Sequence, residues 1–132
     1  MWKPARLALS LVFALALGGC ATAGGTAAPQ GRSDLLVEEQ IRANSYATVY
    51  DAIVALRPNW LRTRGQDSFN APSQIQVYID NVRVGGIPNL QAISAISAYY
   101  VQWYDGIEAS ARWGLGHGSG AIYVSTTPMR ER

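Results

Sequence analysis

His117 and Ser119, with Asp105 and Glu108 a short way upstream, are the side chains whose spacing most invites a catalytic reading. A histidine beside a serine suggests a base and a nucleophile. A nucleophilic serine of that kind is presented on a Gly-x-Ser-x-Gly elbow, and the sequence has none. His117 is the sole histidine, and no cysteine stands near it. A zinc ion there would have to draw its other ligands from carboxylates or water, so His117 reads as a solvated loop residue. Asp105-Gly106-Ile107-Glu108 has the spacing of a capping box, which already occupies both carboxylates. Glu38-Glu39 falls in a first helical turn, where acids complement the helix dipole, and Asp80 falls in a hairpin turn. Gly116-x-Gly118-x-x-Ala121 imitates a dinucleotide fingerprint, but that fingerprint leads from a strand into a helix, whereas this loop leaves a helix for a strand. The only lysine is Lys3, which falls in the N-terminal segment expected to be removed, so the mature chain offers no P-loop lysine. The expectation is a protein that is not an enzyme and takes no cofactor or metal.

Aromatic side chains are the remaining source of interaction energy. Trp60, Trp103, Trp113 and seven tyrosines are many for one small domain. The run Tyr99 to Tyr104 carries them on both faces of a strand. Trp60, Tyr100, Trp103 and Tyr104 are therefore the candidate binding residues, because an exposed aromatic sheet face suits protein recognition. Arg57, Arg62 and Arg64 are spaced so that a basic corner for a carboxylate or a lipid phosphate is conceivable, but a solvated loop is the favoured reading.

The elements that must position these residues follow from periodicity. Leu35-Leu36-Val37 predicts a short strand and Glu38 to Ala43 a helical turn. Ser45 is placed to cap a helix with Tyr46, Val49, Tyr50, Ile53 and Leu56 on one face, stopped by Pro58. Trp60 to Arg64 reads as extended and Gly65 to Ser73 as a polar loop. Gln74 to Asp80 alternates with period two, setting Ile75, Val77 and Ile79 on one face, and Asp80-Asn81 turns the chain into Val82-Arg83-Val84. Leu90 to Ile96 predicts one or two helical turns. A strand over Tyr99 to Tyr104, a helix from Asp105 to Trp113, Gly114 just past its end and a last strand over Ala121 to Thr126 complete the chain. The connection after Tyr104 is long enough for a crossover that packs its helix on the sheet. The fold class expected is α/β (α+β), a small mixed β-sheet with short helices.

At the N-terminus, Lys3 and Arg6 precede an apolar run from Leu7 to Leu17 that is shorter than the roughly 20 residues a membrane span requires. Leu17-Gly18-Gly19-Cys20 closes it with the only cysteine and resembles the lipobox of bacterial lipoproteins. That resemblance implies cleavage before Cys20, a diacylglyceryl thioether on its sulfur and an acylated new amino terminus. Several acyl chains together supply stable attachment. Ala21 in place of an aspartate implies an outer-membrane address. Residues 1–19 are then a signal peptide and residues 20–33, which carry nothing large enough to seed a core, a tether reaching roughly 20 Å. The whole chain has 11 basic and 9 acidic residues, but Lys3 and Arg6 leave with the signal. The mature chain is near neutral, and the sequence predicts no nucleic-acid partner.

Three further segments carry a second resemblance. Ser45 to Leu61, a Tyr-x-x-Val-Tyr-Asp-Ala-Ile helix followed by Leu-Arg-Pro-x-Trp-Leu, is similar to the opening of the plug domain of TonB-dependent outer-membrane receptors. Val77-Tyr78-Ile79-Asp80-Asn81-Val82 is similar to the plug hairpin. Gly106, Ala109, Gly114, Gly120, Ala121, Ile122, Val124 and Thr126 match the plug's closing run. The resemblance implies a plug-like domain over residues 34–127, with residues 128–132 as a tail. Receptors continue into a transmembrane barrel, so the expectation here is a plug-like unit that does not transport by itself. The one candidate for a TonB-recognition box, Asp34-Leu35-Leu36-Val37, is better used as the first strand. Together these readings imply a cell-envelope lipoprotein, held to the membrane through Cys20, whose domain binds or assembles with an outer-membrane or periplasmic protein. The alternative they leave open is a binder of a small nutrient or chelate.

Overall fold

Alternation with period two builds one mixed sheet, and short helices close both of its faces. The computed structural model describes residues 33–64 and 74–130. Residues 1–32, on which the expected signal peptide, Cys20 and nearly all of the expected tether fall, residues 65–73, expected as a polar loop, and residues 131–132 lie outside the described residues. Strands β1 (Leu35–Val37), β2 (Gln76–Ile79), β3 (Val82–Gly85), β4 (Tyr100–Tyr104) and β5 (Ala121–Ser125) are joined by helices α1 (Glu38–Arg42), α2 (Val49–Leu56) and α3 (Gly106–Trp113). The strand order is β1-β4-β5-β2-β3. Strands β2 and β5 run parallel, with Val77 beside Ile122 and Tyr78 beside Tyr123. All the other pairs are antiparallel.

The two faces bury different chemistry. On the first, Val77, Val101, Ile122 and Val124 pack under α2 with Val49 and Ile53. Each such side chain contributes about 1.5–3 kcal/mol by leaving water. On the second, Tyr78, Tyr123 and Ala121 pack against Ala109 of α3, with Tyr100, Tyr104 and Trp113 half-buried around them. Both faces of β2 are thus covered, and Tyr78 is buried on the side where alternation alone suggests solvent.

Several local expectations are corrected. Helix α2 begins three residues later than the Ser45 cap implies. Thr48 is the N-cap: its hydroxyl accepts the Asp51 amide at 3.2 Å, and the Asp51 carboxylate accepts the Thr48 amide at 3.2 Å. This reciprocal pair satisfies two orphan amides at once, which Ser45, with φ of 50° in the turn after α1, does not. Tyr46 precedes the helix yet still packs on the core. Trp60 is not in an extended segment. Pro58–Leu61 forms a 3-10 turn with Pro58 at its start, and this turn drives the Trp60 ring inward. The helical turns near Leu90 are also of the 3-10 type, over Ile87–Ala92 and Ala95–Ser97. Asp80 and Asn81 take positive φ as a two-residue hairpin turn requires. The Asp80 carboxylate accepts from the Thr126 hydroxyl and, at 3.0 Å, from the Thr126 amide. Those bonds hold its pKa below the ordinary carboxylate value and tie the hairpin to the end of β5.

The connection through α3 also differs from a crossover. Tyr104, at the end of β4, pairs with Ala121, at the start of β5, and the two strands are antiparallel neighbours. The segment is a hairpin whose long connection carries a helix out over the second face and back. Asp105 starts α3 by accepting the amides of Ile107 and Glu108, both at 2.8 Å. No bond returns from Glu108 to the Asp105 amide among the described residues, so only half of the expected capping box forms. Two glycines permit the tight return. A Cβ on Gly106 would strike the Gly118 carbonyl, and one on Gly120 would lie 2.7 Å from the Trp103 indole and from the Tyr104 carbonyl. Gly120 also has φ of +90°. Gly116 has φ of +91° but open space around it. Gly120→Ala should therefore destabilise the domain by about 3 kcal/mol or more, combining steric overlap with backbone strain, and Gly116→Ala by about 1 kcal/mol. Urea unfolding of both variants measures the difference, and equal losses would show that the Trp103 contact does not constrain the loop.

Candidate functional site

Alternation along β4 divides the four candidate binding aromatics between the two faces of the sheet. Tyr100 and Tyr104 project to the α3 face and Trp103 to the α2 face, where Trp60 joins it. Trp60 is only 5% exposed. It is a core residue with one edge on a cleft and not part of an exposed patch. The four side chains do not form one surface.

On the α3 face the rings form a connected cluster. Trp113 stacks on Tyr78 with centroids 4.2 Å apart and planes 12° from parallel. The Tyr104 ring meets Trp113 edge-on at 5.2 Å, and Tyr123 lies between Tyr100 and Trp113. Such contacts contribute about 0.5–1.5 kcal/mol each beyond the area they bury. Arg112 lies across the cluster. Its guanidinium carbon is 5.1 Å from the Tyr104 ring centre, 4.8 Å from that of Trp113 and 5.0 Å from that of Tyr123. It donates to the Tyr104 hydroxyl at 2.6 Å and to Asn81 Oδ1 at 2.9 Å. The cation is thus held by aromatic faces and ties α3 to the β2–β3 turn. Burial raises the pKa of the Tyr104 phenol, with Arg112 opposing it, and burial likewise raises that of Tyr123. Both hydroxyls stay neutral hydrogen-bonding groups at physiological pH.

His117 overturns its expected place in solvent. It is 4% exposed, with Nδ1 2.8 Å from the Gly114 carbonyl and Nε2 2.6 Å from the Tyr78 hydroxyl. A carbonyl only accepts, so Nδ1 carries the proton. In the neutral ring Nε2 then accepts from Tyr78. The imidazole is a clamp between the glycine-rich loop and β2. Ser119 is also buried, and its hydroxyl bonds neither His117 nor any other group. The two residues therefore do not make a nucleophile and base. Among the described residues no group of three His, Cys, Asp or Glu side chains converges as a metal site would require.

The arrangement can stack, hydrogen-bond and present charge. Half-exposed Tyr104 stands beside the exposed Arg112, and half-exposed Tyr100 lies on the same face against Tyr123, so this face offers two rings, phenolic hydroxyls and a cation. Arg112 was not singled out by its sequence. Its only signal is its place beside Trp113 at the end of a helix bounded by Asp105 and Gly114. On the other face, Trp60 and Trp103 line a cleft of about 270 Å³ with Ser33, Asp34, Arg57, Asn59 and Arg64. Of the three arginines of the expected basic corner, Arg57 is half-buried in this cleft and Arg64 stands at it, while Arg62 is exposed outside it.

No protein family, curated protein or solved structure matches this chain. The reading of the site rests on its own geometry. Replacing His117 with alanine removes a buried ring and leaves the buried Tyr78 hydroxyl without its partner, while the Gly114 carbonyl, on an exposed residue, can turn to water. The expected loss is about 2–4 kcal/mol of stability, measured by urea unfolding. A loss near zero would mean that His117 does not hold the loop.

Proposed function

We propose that this chain is a lipid-anchored, non-catalytic binding and assembly module of the cell envelope, which docks an outer-membrane or periplasmic protein through the α3 face of a plug-like domain. The observation that carries the docking reading is the pair of half-exposed tyrosines on one face, Tyr100 and Tyr104, with the Arg112 cation over the Tyr104 ring. Tyrosine and arginine are the residue types that most often anchor interfaces, and a good anchor contributes about 2 kcal/mol or more. Here the anchors are pre-ordered. Ring–ring contacts and the Arg112 bonds fix their geometry before a partner arrives, which reduces the ordering cost of association.

The anchor reading rests on Leu17-Gly18-Gly19-Cys20. Among the described residues no helix is long and apolar enough to cross a membrane. A tether from Cys20 to Ser33 leaves the domain free to turn its α3 face toward a neighbour. The order of strand, helix, hairpin, strand, helix and strand is the order the plug resemblance implies, and it supports the same reading.

Two measurements test the proposal separately. Metabolic labelling with a fatty-acid analogue should mark the wild-type chain and not Cys20→Ser, and equal labelling of both removes the anchor. A photo-crosslinking amino acid placed at Tyr100 or Tyr104 should trap one envelope protein in a discrete adduct, whereas the same group at Val54, exposed on α2, should not. Adducts of equal yield at all three positions, or none at any, would remove the α3 face as the docking surface.

A further inference from the structure

Helix α3 covers only half of the sheet face on which it packs. Ala109 seats it on Tyr78, Ala121 and Tyr123, which belong to β2 and β5. The other half is formed by β1 and β4, where Leu35 lies opposite Gln102 and Val37 opposite Tyr100. Opposed residues of an antiparallel pair share a face, and Leu36 and Val101 between them are buried in the core under α2. Leu35, Val37, Tyr100, Gln102 and Tyr104 therefore line one strip beside α3, and all five are half-exposed. Two strands at about 4.8 Å spacing make that strip roughly 10 Å wide, the width of one helix. From Tyr104 to Tyr100 it runs about 13 Å, against about 12 Å for an eight-residue helix. Residues 21–32 contain no leucine, isoleucine, valine, methionine or aromatic residue to fill it.

A helix suited to that strip is present in the chain itself. The outer side of α3 exposes Ala111 and Ile107, the latter 83% exposed, and Leu115, just past the helix end, is 99% exposed. We propose that the protein pairs with a second copy of itself, each copy laying the outer side of its α3 on the β1–β4 strip of the other. This names the partner of the docking face and so rests on the docking reading. The ridge and the strip lie side by side on one face, so the surface is self-complementary, as a two-fold interface requires. Helix α3 starts beside Tyr104, and its Arg112 reaches Asn81, which follows β2 at the Tyr100 end of the sheet. A two-fold axis along α3 therefore sets the two helices parallel, side by side between the two sheets. Ile107 of each copy then meets Leu35 and Tyr104 of the other. Leu115 meets the far end of the strip, where Val37, Tyr100 and Met129 line a hollow of about 420 Å³. Charge agrees with this arrangement. Glu108 and Arg112 lie one turn apart, Arg112 over the Tyr104 ring at the strip, and Glu108 is in no ion pair. Between parallel helices each Glu108 comes within a turn of the other copy's Arg112, so two acids face two bases. The patch, about 20 by 13 Å per copy, is at the small end for a specific interface, and the expected dissociation constant is in the micromolar range.

A photo-crosslinking amino acid at Val37, in the strip, tests the pairing in the full chain in its own envelope. It should give an adduct of twice the chain's mass that contains only peptides of this chain, with the link falling in residues 106–115. Ile107→Asp and Leu115→Asp should each reduce that adduct about tenfold, because a carboxylate would be buried against apolar surface. Val82→Asp, exposed on β3, should leave it unchanged. Ile107 and Leu115 are exposed in the single chain, so both variants should keep the wild-type urea midpoint. An adduct with a different envelope protein would overturn the self-pairing and keep the docking reading. No adduct from Val37, Tyr100 or Tyr104 would overturn both. A self-adduct of undiminished yield in both the Ile107 and Leu115 variants would place the contact elsewhere and overturn the seating of α3 in the strip.

Discussion

Strand β5 is buried on both faces and paired on both edges, and the rest of the domain is arranged to meet that constraint. All five residues from Ala121 to Ser125 are buried. Their backbone groups are satisfied by β4 on one side and β2 on the other, as buried peptide groups require. Ile122 and Val124 demand an apolar layer, which α2 and the 3-10 turns supply. Ala121 and Tyr123 demand a second one. It comes from the connection between β4 and β5, which carries α3 over that face.

That second layer explains the glycine-rich loop. An α-helix inserted into a β-hairpin has to leave the sheet, cross its face and return to the same edge. The return is tight enough that Gly106 meets the Gly118 backbone and Gly120 meets Trp103. His117 completes the closure by bonding the loop at Gly114 and the sheet at Tyr78. The glycines and the histidine, the residues that most suggested phosphate or proton chemistry, are accounted for by the geometry of that return.

An eight-residue helix covers less than a full sheet face, and the aromatic cluster with Arg112 occupies what it leaves half open. The opposite face is filled by apolar side chains except at its margin, where Trp60 and Trp103 border a cleft that Asp34, Arg57 and Arg64 also line. The two surfaces differ in kind: one carries tyrosine rings and hydroxyls with Arg112, whereas the other is a cleft lined by two indoles, two arginines and Asp34. Both follow from β4, whose alternation sends Tyr100 and Tyr104 one way and Trp103 the other.

Much of the fold is legible in the sequence because its signals are local. The hairpin at Asp80-Asn81 follows from residues that tolerate positive φ, the start and stop of α3 from Asp105 and Gly114, and the core face of β2 from the alternation of Ile75, Val77 and Ile79. These depend on neighbours within a few residues, so the sequence by itself determined them, together with the mixed class of the sheet and the lipobox pattern at Cys20. Tertiary structure decided the rest. Nothing near Thr48 in sequence reveals that the Val49 amide will donate to Ile93, which helps set where α2 begins. Nothing near His117 reveals a tyrosine 39 positions away at hydrogen-bond distance. Whether an aromatic side chain becomes core, clamp or exposed anchor depends on which face of the sheet it occupies and how much of that face a helix covers. Those are long-range quantities, fixed only when β5 takes its place between β4 and β2.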